Sequence, residues 1–244
     1  MEIFPAIDII GGQVVRLQEG DYSQVSVYGD SPYEMAESFA RQGARNLHVV
    51  DLDGAKQGRA ANFDAIKALR REKSLFIEVG GGIRDEKRIV DYLSLGVNRV
   101  ILGTIAVQNY PFVEQMVKKY RDQIAVGVDA RNKKVAVSGW LDITEIDSVD
   151  FCRRLRDSGV STVIYTDISK DGMLGGTNLA VYRRLSEIKG LQIVASGGIT
   201  YIEEIEALAR MGLYGAIVGK AIYTGSLSLA DLMRAAGPRK EAKA

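Results

Sequence analysis

Two aspartates, Asp8 and Asp129, each directly follow a short apolar run, a position where a carboxylate contributes little to packing. Asp8 follows the apolar run 3–7 and Asp129 follows the run 124–128, so each is expected at the end of a buried strand. Burying an unpaired carboxylate is costly, which favours a chemical role at the rim of the fold. Facing carboxylates can act as general base and general acid if one is kept ionised and the other protonated. The spacing does not say which is which, and a salt bridge or a turn cap is the structural alternative for each.

The elements that must position these aspartates form a regular pattern. Eight short apolar runs recur, each followed by a longer amphipathic stretch, as in β-strand–α-helix units around a parallel sheet. The runs are 3–7, 46–50, 75–79, 99–102, 124–128, 162–165, 192–195 and 215–218. Helical patterns cover 31–42, 63–71, 86–95, 111–119, 149–158, 179–188 and 202–210. The 244 residues therefore predict an α/β fold with a single (β/α)8 TIM barrel domain, 1–244, whose tail at 237–244 is expected to fray.

An internal repeat indicates two similar half-barrels, about 1–122 and 123–236. At a shift of 116 positions the repeated elements are Gly81-Gly82-Ile83 and Gly197-Gly198-Ile199, Asp51 and Asp167, and Asn62 and Asn178. Asp8 matches Asp129 at a shift of 121, so the first half contains a longer connection, at 11–30. Such halves would place equivalent residues on opposite sides of one barrel mouth. The segments 11–30 and 131–146 then become candidate lids over that mouth.

The repeat also duplicates glycine-rich turns. Glycine lets backbone N–H groups approach a phosphate at a helix start, and barrel enzymes commonly bind phosphate after strands seven and eight. The same turns recur after strands three and four. We therefore expect two opposed phosphate sites formed by Gly81, Gly82, Gly103, Thr104, Gly197, Gly198, Gly219 and Lys220. For a single pair of glycines, a tight turn without a ligand would explain the sequence equally well.

Asp171 and Thr166 belong to the same expected rim. Asp171 lies in the loop after strand six, next to the loop after strand five, and is a rival to Asp129 for the role of acid. Thr166 comes just after strand six, where the first half of the repeat holds Val50. The hydroxyl favours a contact to substrate or to a carboxylate, although β propensity alone would also account for threonine.

Three single residues have competing interpretations. His48 is expected inside strand two, either as a packed, hydrogen-bonded imidazole or as a ligand contact. Because it is the only histidine, a metal site made of several histidines is excluded. Trp140, after strand five, either stacks on a planar ring or covers core. Cys152 is the only cysteine, so no intramolecular disulfide is possible. It lies in a helical pattern and is expected to be buried.

Composition excludes several functional classes. Thirty-two Lys and Arg residues against 31 Asp and Glu residues create no global field for a nucleic acid or an anionic membrane. The N-terminus lacks a signal-peptide pattern, and no run of about 18 apolar residues occurs. The sequence therefore predicts a cytoplasmic protein that acts on a small molecule.

Seven motifs, in the same order along the chain, resemble the phosphoribosylformimino-aminoimidazole carboxamide ribotide (ProFAR) isomerases of histidine biosynthesis. The resemblance covers nearly the whole chain. Its motifs are Pro5-Ala6-Ile7-Asp8-Ile9, Val15-Arg16-Leu17-Gln18-Glu19-Gly20-Asp21-Tyr22, His48-Val49-Val50-Asp51-Leu52-Asp53-Gly54-Ala55, Gly80-Gly81-Gly82-Ile83-Arg84, Gly127-Val128-Asp129-Ala130-Arg131, Asp167-Ile168-Ser169-Lys170-Asp171-Gly172 and Ser196-Gly197-Gly198-Ile199.

The resemblance implies an Amadori rearrangement of an aminoaldose nucleotide with two phosphates, with no metal, organic cofactor or obligatory protein partner. It assigns the C2′ base to Asp8 and the acid that opens the ribose to Asp129, with Asp171 as competitor because the family has a carboxylate at both positions. Thr166 would orient the opening ribose. Further candidate contacts to substrate are Arg16, Trp140 and His48.

Three alternatives stay open at this point. The cyclase subunit that makes imidazole glycerol phosphate shares the repeat and both aspartates but needs a glutaminase partner, and the motifs around Asp8 and Trp140 are more similar to the isomerase. A dual-substrate isomerase that also acts on phosphoribosylanthranilate typically has arginine where this chain has Ser138. A non-catalytic phosphosugar-binding barrel would tolerate loss of Asp8, whereas an enzyme would not.

Overall fold

The computed structural model describes residues 1–18 and 20–238. The strands are β1 (Glu2–Ile10), β2 (Gln13–Gln18), β3 (Asp21–Gly29), β4 (Asn46–Asp51), β5 (Phe76–Gly80), β6 (Arg99–Leu102), β7 (Ile124–Arg131), β8 (Lys134–Val137), β9 (Asp142–Asp147), β10 (Thr162–Asp167), β11 (Gln192–Ser196) and β12 (Gly215–Val218). The α-helices are α1 (Pro32–Arg41), α2 (Leu52–Gln57), α3 (Phe63–Leu69), α4 (Glu86–Ser94), α5 (Ile105–Gln108), α6 (Tyr110–Tyr120), α7 (Ser148–Asp157), α8 (Leu179–Ser186), α9 (Ile202–Arg210), α10 (Lys220–Tyr223) and α11 (Leu229–Ala236).

Eight parallel strands close into a barrel in the order β1, β4, β5, β6, β7, β10, β11, β12. Closure occurs where Ile3 of β1 pairs with Ala216 of β12. The predicted (β/α)8 barrel is confirmed, and each of its strands overlaps one of the eight apolar runs. These runs are nearly continuous because each strand is covered by helices outside and by side chains inside. The inner apolar side chains include Phe4, Ala6, Ile101, Ala125, Ile164, Val194 and Ile217.

The helices expected from the sequence are present, with ends that differ by at most a few residues. The side chain of Ser31 caps α1 and that of Asp85 caps α4, each accepting a backbone N–H of the first turn. Cys152 is a free, fully buried thiol in α7. Across residues 1–18 and 20–238, no helix has the length and apolarity needed to cross a membrane. Most of the tail expected to fray, 239–244, falls outside the described residues.

The expected ends of the first and fifth barrel strands were wrong. Asp8 and Asp129 do not end their strands, since β1 and β7 continue beyond the barrel and pair with β2 and β8. The candidate lid segments are therefore antiparallel β-hairpins. Each reverses in two residues with positive φ, Gly11-Gly12 (56° and 80°) and Asn132-Lys133 (51° and 68°), as the twist of a tight hairpin requires.

The repeated Asp and Asn residues form the same structural contact in both halves. The Asn62 side-chain amide donates to Asp51 at 2.7 Å, and the Asn178 amide donates to Asp167 at 2.7 Å. Each pair ties the end of a barrel strand to the loop that follows it. The matching contacts support the repeat, and the boundary between halves near residue 122 stays a prediction.

The repeated glycine turns pack tightly against the neighbouring strand end. Gly81 and Gly197 have φ of 107° and 95°. A Cβ on Gly197 would lie 2.6 Å from the carbonyl oxygen of Asp167, and one on Gly81 would overlap the carbonyl of Asp51. The turn itself thus requires glycine, so the glycines alone do not establish a phosphate site.

We expect Gly197→Ala to destabilise the fold by at least ~2 kcal/mol, because the methyl group meets a backbone carbonyl as well as an unfavourable φ. Gly190→Ala is the matched control, since Gly190 has φ of 80° but open space around its Cβ position. Urea denaturation of the two variants measures the difference. Equal destabilisation would show that the clash with Asp167 is relieved at no cost.

Candidate functional site

A cavity of about 220 Å³ opens at the carboxyl ends of the parallel strands. The sequence-predicted catalytic residues all line it, namely Asp8, Asp129, Thr166 and Asp171. Thr166 is opposite Asp129 in the pairing of β10 with β7, while Asp8 lies on β1. The tertiary structure thus brings together carboxylates that are up to 163 positions apart in sequence.

The two groups of glycine turns lie in adjoining spaces. Gly81, Gly82, Gly103 and Thr104 line the large cavity. A smaller pocket of about 20 Å³ is lined by Gly197, Gly198, Gly219 and Lys220. The two spaces share Arg16 and Asp171. In each half a short helix, α5 or α10, begins directly after the second turn.

Asp8 is paired with a cation. Nη1 of Arg16, on hairpin strand β2, donates to Oδ2 of Asp8 at 2.8 Å, and Nη2 lies 3.8 Å from Asp171. Burial raises the pKa of Asp8, the Arg16 charge opposes this, and the charge of Asp171 adds to the increase. The guanidinium also lies so close to Gly219 that a Cβ there would be 2.5 Å from it. Arg16 therefore connects Asp8 with the small pocket.

Asp129 is held by neutral donors instead. Nε1 of Trp140, from the loop between β8 and β9, donates to Oδ2 of Asp129 at 2.8 Å. Burial raises the pKa of Asp129, and hydrogen bonds from Trp140 and Thr166 lower it. The Trp140 ring lies over Gly20, where any side chain would collide with it. A carboxylate beside neutral donors is easier to protonate than one beside a guanidinium, so the surroundings distinguish Asp129 from Asp8.

The other predicted contact residues have partners within the protein. Nζ of Lys220 donates to the carbonyl of Gly172 at 2.7 Å, which places its charge at the small pocket. The Thr104 hydroxyl accepts the Ser138 N–H at 2.9 Å. His48 is packed and hydrogen-bonded, and its side chain, 12% exposed, also borders the cavity.

Sequence reasoning missed the polar group beneath His48. Nδ1 of His48 lies 2.7 Å from Oε1 of Glu78, and Glu78 pairs in turn with Arg99. A signal was available, since Glu78 is a charged residue within the apolar run 75–79. The ion pair of Arg16 with Asp8 was also missed, because only the hairpin brings β2 beside β1.

The fold and the site define the class of (β/α)8-barrel enzymes that act at the carboxyl ends of their strands. The family model described as histidine biosynthesis protein matches residues 2–228. The chain therefore belongs to the histidine biosynthesis protein family.

Curated relatives match the chain over nearly its whole length. The relatives from Brachyspira, Geobacillus and Bacillus all bear the name 1-(5-phosphoribosyl)-5-((5-phosphoribosylamino)methylideneamino) imidazole-4-carboxamide isomerase. The protein of Brachyspira hyodysenteriae is 49% identical over 236 residues, which are 97% of this chain and 99% of the relative. The Geobacillus kaustophilus protein is 47% identical, covering 97% and 98%. The Bacillus subtilis protein is 44% identical, covering 95% and 96%.

We expect Trp140→Phe to raise the pKa of Asp129, because phenylalanine keeps an aromatic ring but removes the donor that favours the ionised carboxylate. The carboxyl ¹³C resonance, assigned by its loss in Asp129→Asn, measures the titration. Leu141→Ala is a control at an exposed neighbour, 84% accessible, and should leave it unchanged. A fall in the pKa of Asp129 in Trp140→Phe would contradict this account.

Proposed function

We propose that this chain is a ProFAR isomerase, which converts an aminoaldose ribonucleotide with two phosphates into its aminoketose in histidine biosynthesis. The observation that carries the proposal is the presence of Asp8 and Asp129 in one cavity bordered by glycine turns, in a chain up to 49% identical to named isomerases. The cyclase alternative is not favoured, since the relatives matched over the full length bear the isomerase name.

Asp129 acts as the acid and Asp8 as the base. Asp129 gives its proton to the ribose ring oxygen as the C1′–O bond breaks, and the nitrogen lone pair forms the C1′=N Schiff base. Asp8 then takes the proton from C2′, and the released electron pair forms the C1′=C2′ bond of an enolamine. Asp8 then returns its proton to C1′ and Asp129 takes the proton of the C2′ enol hydroxyl, which gives the ketose and restores both carboxyls. The assignment rests on the guanidinium beside Asp8, which favours an ionised base, and the neutral donors beside Asp129.

Asp171 is the alternative acid. It borders both the cavity and the small pocket, and its charge raises the pKa of both Asp8 and Asp129. Its carboxylate faces Arg16 at 3.8 Å, so it shares the cation that serves Asp8. We assign Asp171 second because its carboxylate faces a guanidinium, whereas Asp129 faces neutral donors.

The phosphates of the substrate are bound at opposite ends. Turns Gly81-Gly82 and Gly103-Thr104 take one, and Gly197-Gly198 and Gly219-Lys220 take the other, where the Lys220 ammonium and the Arg16 guanidinium add positive charge. Anchoring both ends supplies binding energy away from the reacting carbons and holds the C2′ proton over Asp8. Thr166 and His48 border the cavity between the two ends and contact the ribose, and Trp140 covers the substrate.

Asp129 and Asp8 supply or take every proton that moves in this reaction sequence, so the proposal requires no cofactor and no second protein. The ligand is a small molecule, and the nearly balanced charge of the chain gives it no general affinity for nucleic acid or an anionic membrane. We place the reaction in the cytoplasm, because a doubly phosphorylated substrate does not cross an apolar bilayer unaided.

Turnover of ProFAR and of phosphoribosylanthranilate, followed side by side by absorbance, tests the proposal. We expect turnover of ProFAR alone, since Ser138 stands where dual-substrate relatives typically have arginine. Turnover of both substrates would establish dual specificity. Binding without turnover would identify a phosphosugar-binding barrel.

Asp8→Asn should lower kcat on ProFAR by about 10³-fold or more while the product still binds, because the amide keeps the shape but cannot take the C2′ proton. Steady-state rates and calorimetric binding of the aminoketose product measure the two effects. Asp157→Asn, at an exposed position on α7, is the control and should retain full activity. Substantial turnover by Asp8→Asn would refute the base assignment.

Arg16→Gln should move the acid limb of the kcat/KM profile to higher pH. Asp8 must be ionised to act, burial already raises its pKa, and removal of the guanidinium removes the charge that opposes this increase. The rate should therefore be lost earlier as pH falls. Arg16→Lys keeps the positive charge and should keep the limb near that of the unmodified protein. A limb that is unchanged or lower in Arg16→Gln would show that Asp8 is not the titrating base.

A further inference from the structure

A chain of buried polar groups descends from the cavity into the barrel. Nδ1 of His48 lies 2.7 Å from Oε1 of Glu78, which is fully buried. Nε and Nη2 of Arg99 donate to the other oxygen of Glu78, Oε2, at 2.9 and 2.5 Å. The two carboxylate oxygens of Glu78 therefore have separate partners: Oε1 contacts His48, which borders the cavity, and Oε2 contacts the buried Arg99.

Arg99 is fixed in place from several sides. Its guanidinium lies 5.2 Å from the ring centroid of Phe76 and 5.8 Å from those of Phe4 and Tyr214. Nη1 donates to the Thr162 hydroxyl at 3.2 Å. A buried arginine keeps its charge, so Glu78 is the acceptor that compensates it. Burial by itself would raise the pKa of Glu78, but the His48 hydrogen bond and the Arg99 charge outweigh it and the pKa is lowered.

An ionised carboxylate only accepts hydrogen bonds, so the His48 nitrogen that faces Glu78 must carry a proton. The other ring nitrogen, Nε2, makes no hydrogen bond to the residues the structure describes, and it is not among their buried unpartnered atoms. Since His48 borders the cavity, Nε2 is the nitrogen left for a ligand.

We propose that Glu78, anchored by Arg99, is a positioning residue that fixes neutral His48 in the Nδ1–H tautomer and so presents Nε2 to the cavity as a hydrogen-bond acceptor. The donor of that hydrogen bond is a hydroxyl of the sugar. This last point rests on the proposed function, while the tautomer follows from the protein alone. In functional histidines, the hydrogen bond made by the ring nitrogen away from the ligand sets the orientation of the ring and its tautomer.

The tautomer can be measured without ambiguity because His48 is the only histidine of the chain. In the full-length protein labelled with ¹⁵N-histidine, long-range ¹H–¹⁵N spectra on the alkaline side of the ring titration distinguish a protonated from an unprotonated nitrogen. We expect Nδ1 to be protonated and Nε2 unprotonated. The opposite pattern in the unmodified protein would overturn the proposal, whether or not any variant folds.

Glu78→Gln tests the cause. Glutamine has nearly the same shape, and its amide oxygen must turn toward Arg99, so its NH₂ group faces Nδ1 of His48. Nδ1 then becomes the acceptor and the tautomer inverts to Nε2–H. Thr162→Val is the matched control, because it removes a hydrogen bond to Arg99 but leaves the carboxylate, and it should keep the Nδ1–H tautomer. An unchanged tautomer in folded Glu78→Gln would overturn the proposal.

Kinetics separate positioning from a merely structural role. In Glu78→Gln a donor faces a substrate hydroxyl where an acceptor is needed, and kcat/KM for ProFAR should fall about 10-fold to 100-fold. Thr162→Val should fall much less. Inversion of the tautomer with unchanged kcat/KM would reject the substrate contact while leaving the tautomer established. Absence of turnover in the unmodified protein would instead reject the proposed function. The tautomer measured by the ¹⁵N spectra would still stand, because that measurement does not depend on turnover.

Discussion

The site depends on the continuation of β1 and β7 beyond the barrel. If either strand ended at its aspartate, nothing would return over the barrel mouth. Instead β2 folds back along β1 with Val15 opposite Asp8, and the next residue is Arg16. On the other side β8 folds back along β7 and leads to Trp140. Each hairpin thus provides the hydrogen-bond partner of one aspartate, Arg16 for Asp8 and Trp140 for Asp129. The two partners differ in charge, and this makes the two carboxyls chemically different.

The two aspartates occupy equivalent positions but unlike surroundings. A guanidinium faces Asp8 and an indole N–H faces Asp129, although burial raises the pKa of both carboxyls. A cation stabilises a carboxylate more than a neutral donor does. A backbone with twofold similarity therefore holds two carboxylates in unlike environments, because the hairpins that cover it differ in sequence.

The glycine turns illustrate how one feature can meet two requirements. Gly197 has no room for a side chain because the carbonyl of Asp167 lies against it, so glycine is needed before any ligand binds. Gly197 and Gly198 also line the small pocket, where the absence of a Cβ lets a ligand approach the backbone closely. The fold therefore requires glycine here by itself, and the glycines support a phosphate site only together with the positive charge of Arg16 and Lys220.

The sequence by itself determined the barrel, its eight parallel strands, most helices and the four candidate catalytic residues, because local periodicity and a repeat encode the buried part of each strand. It did not show the hairpins, since the turns at Gly11-Gly12 and Asn132-Lys133 depend on strands pairing beyond the barrel. Nor did it show that Arg16 meets Asp8, or that Glu78 and Arg99 lie beneath His48. Such contacts join distant strands, so only closure of the barrel decides which side chains share one buried space.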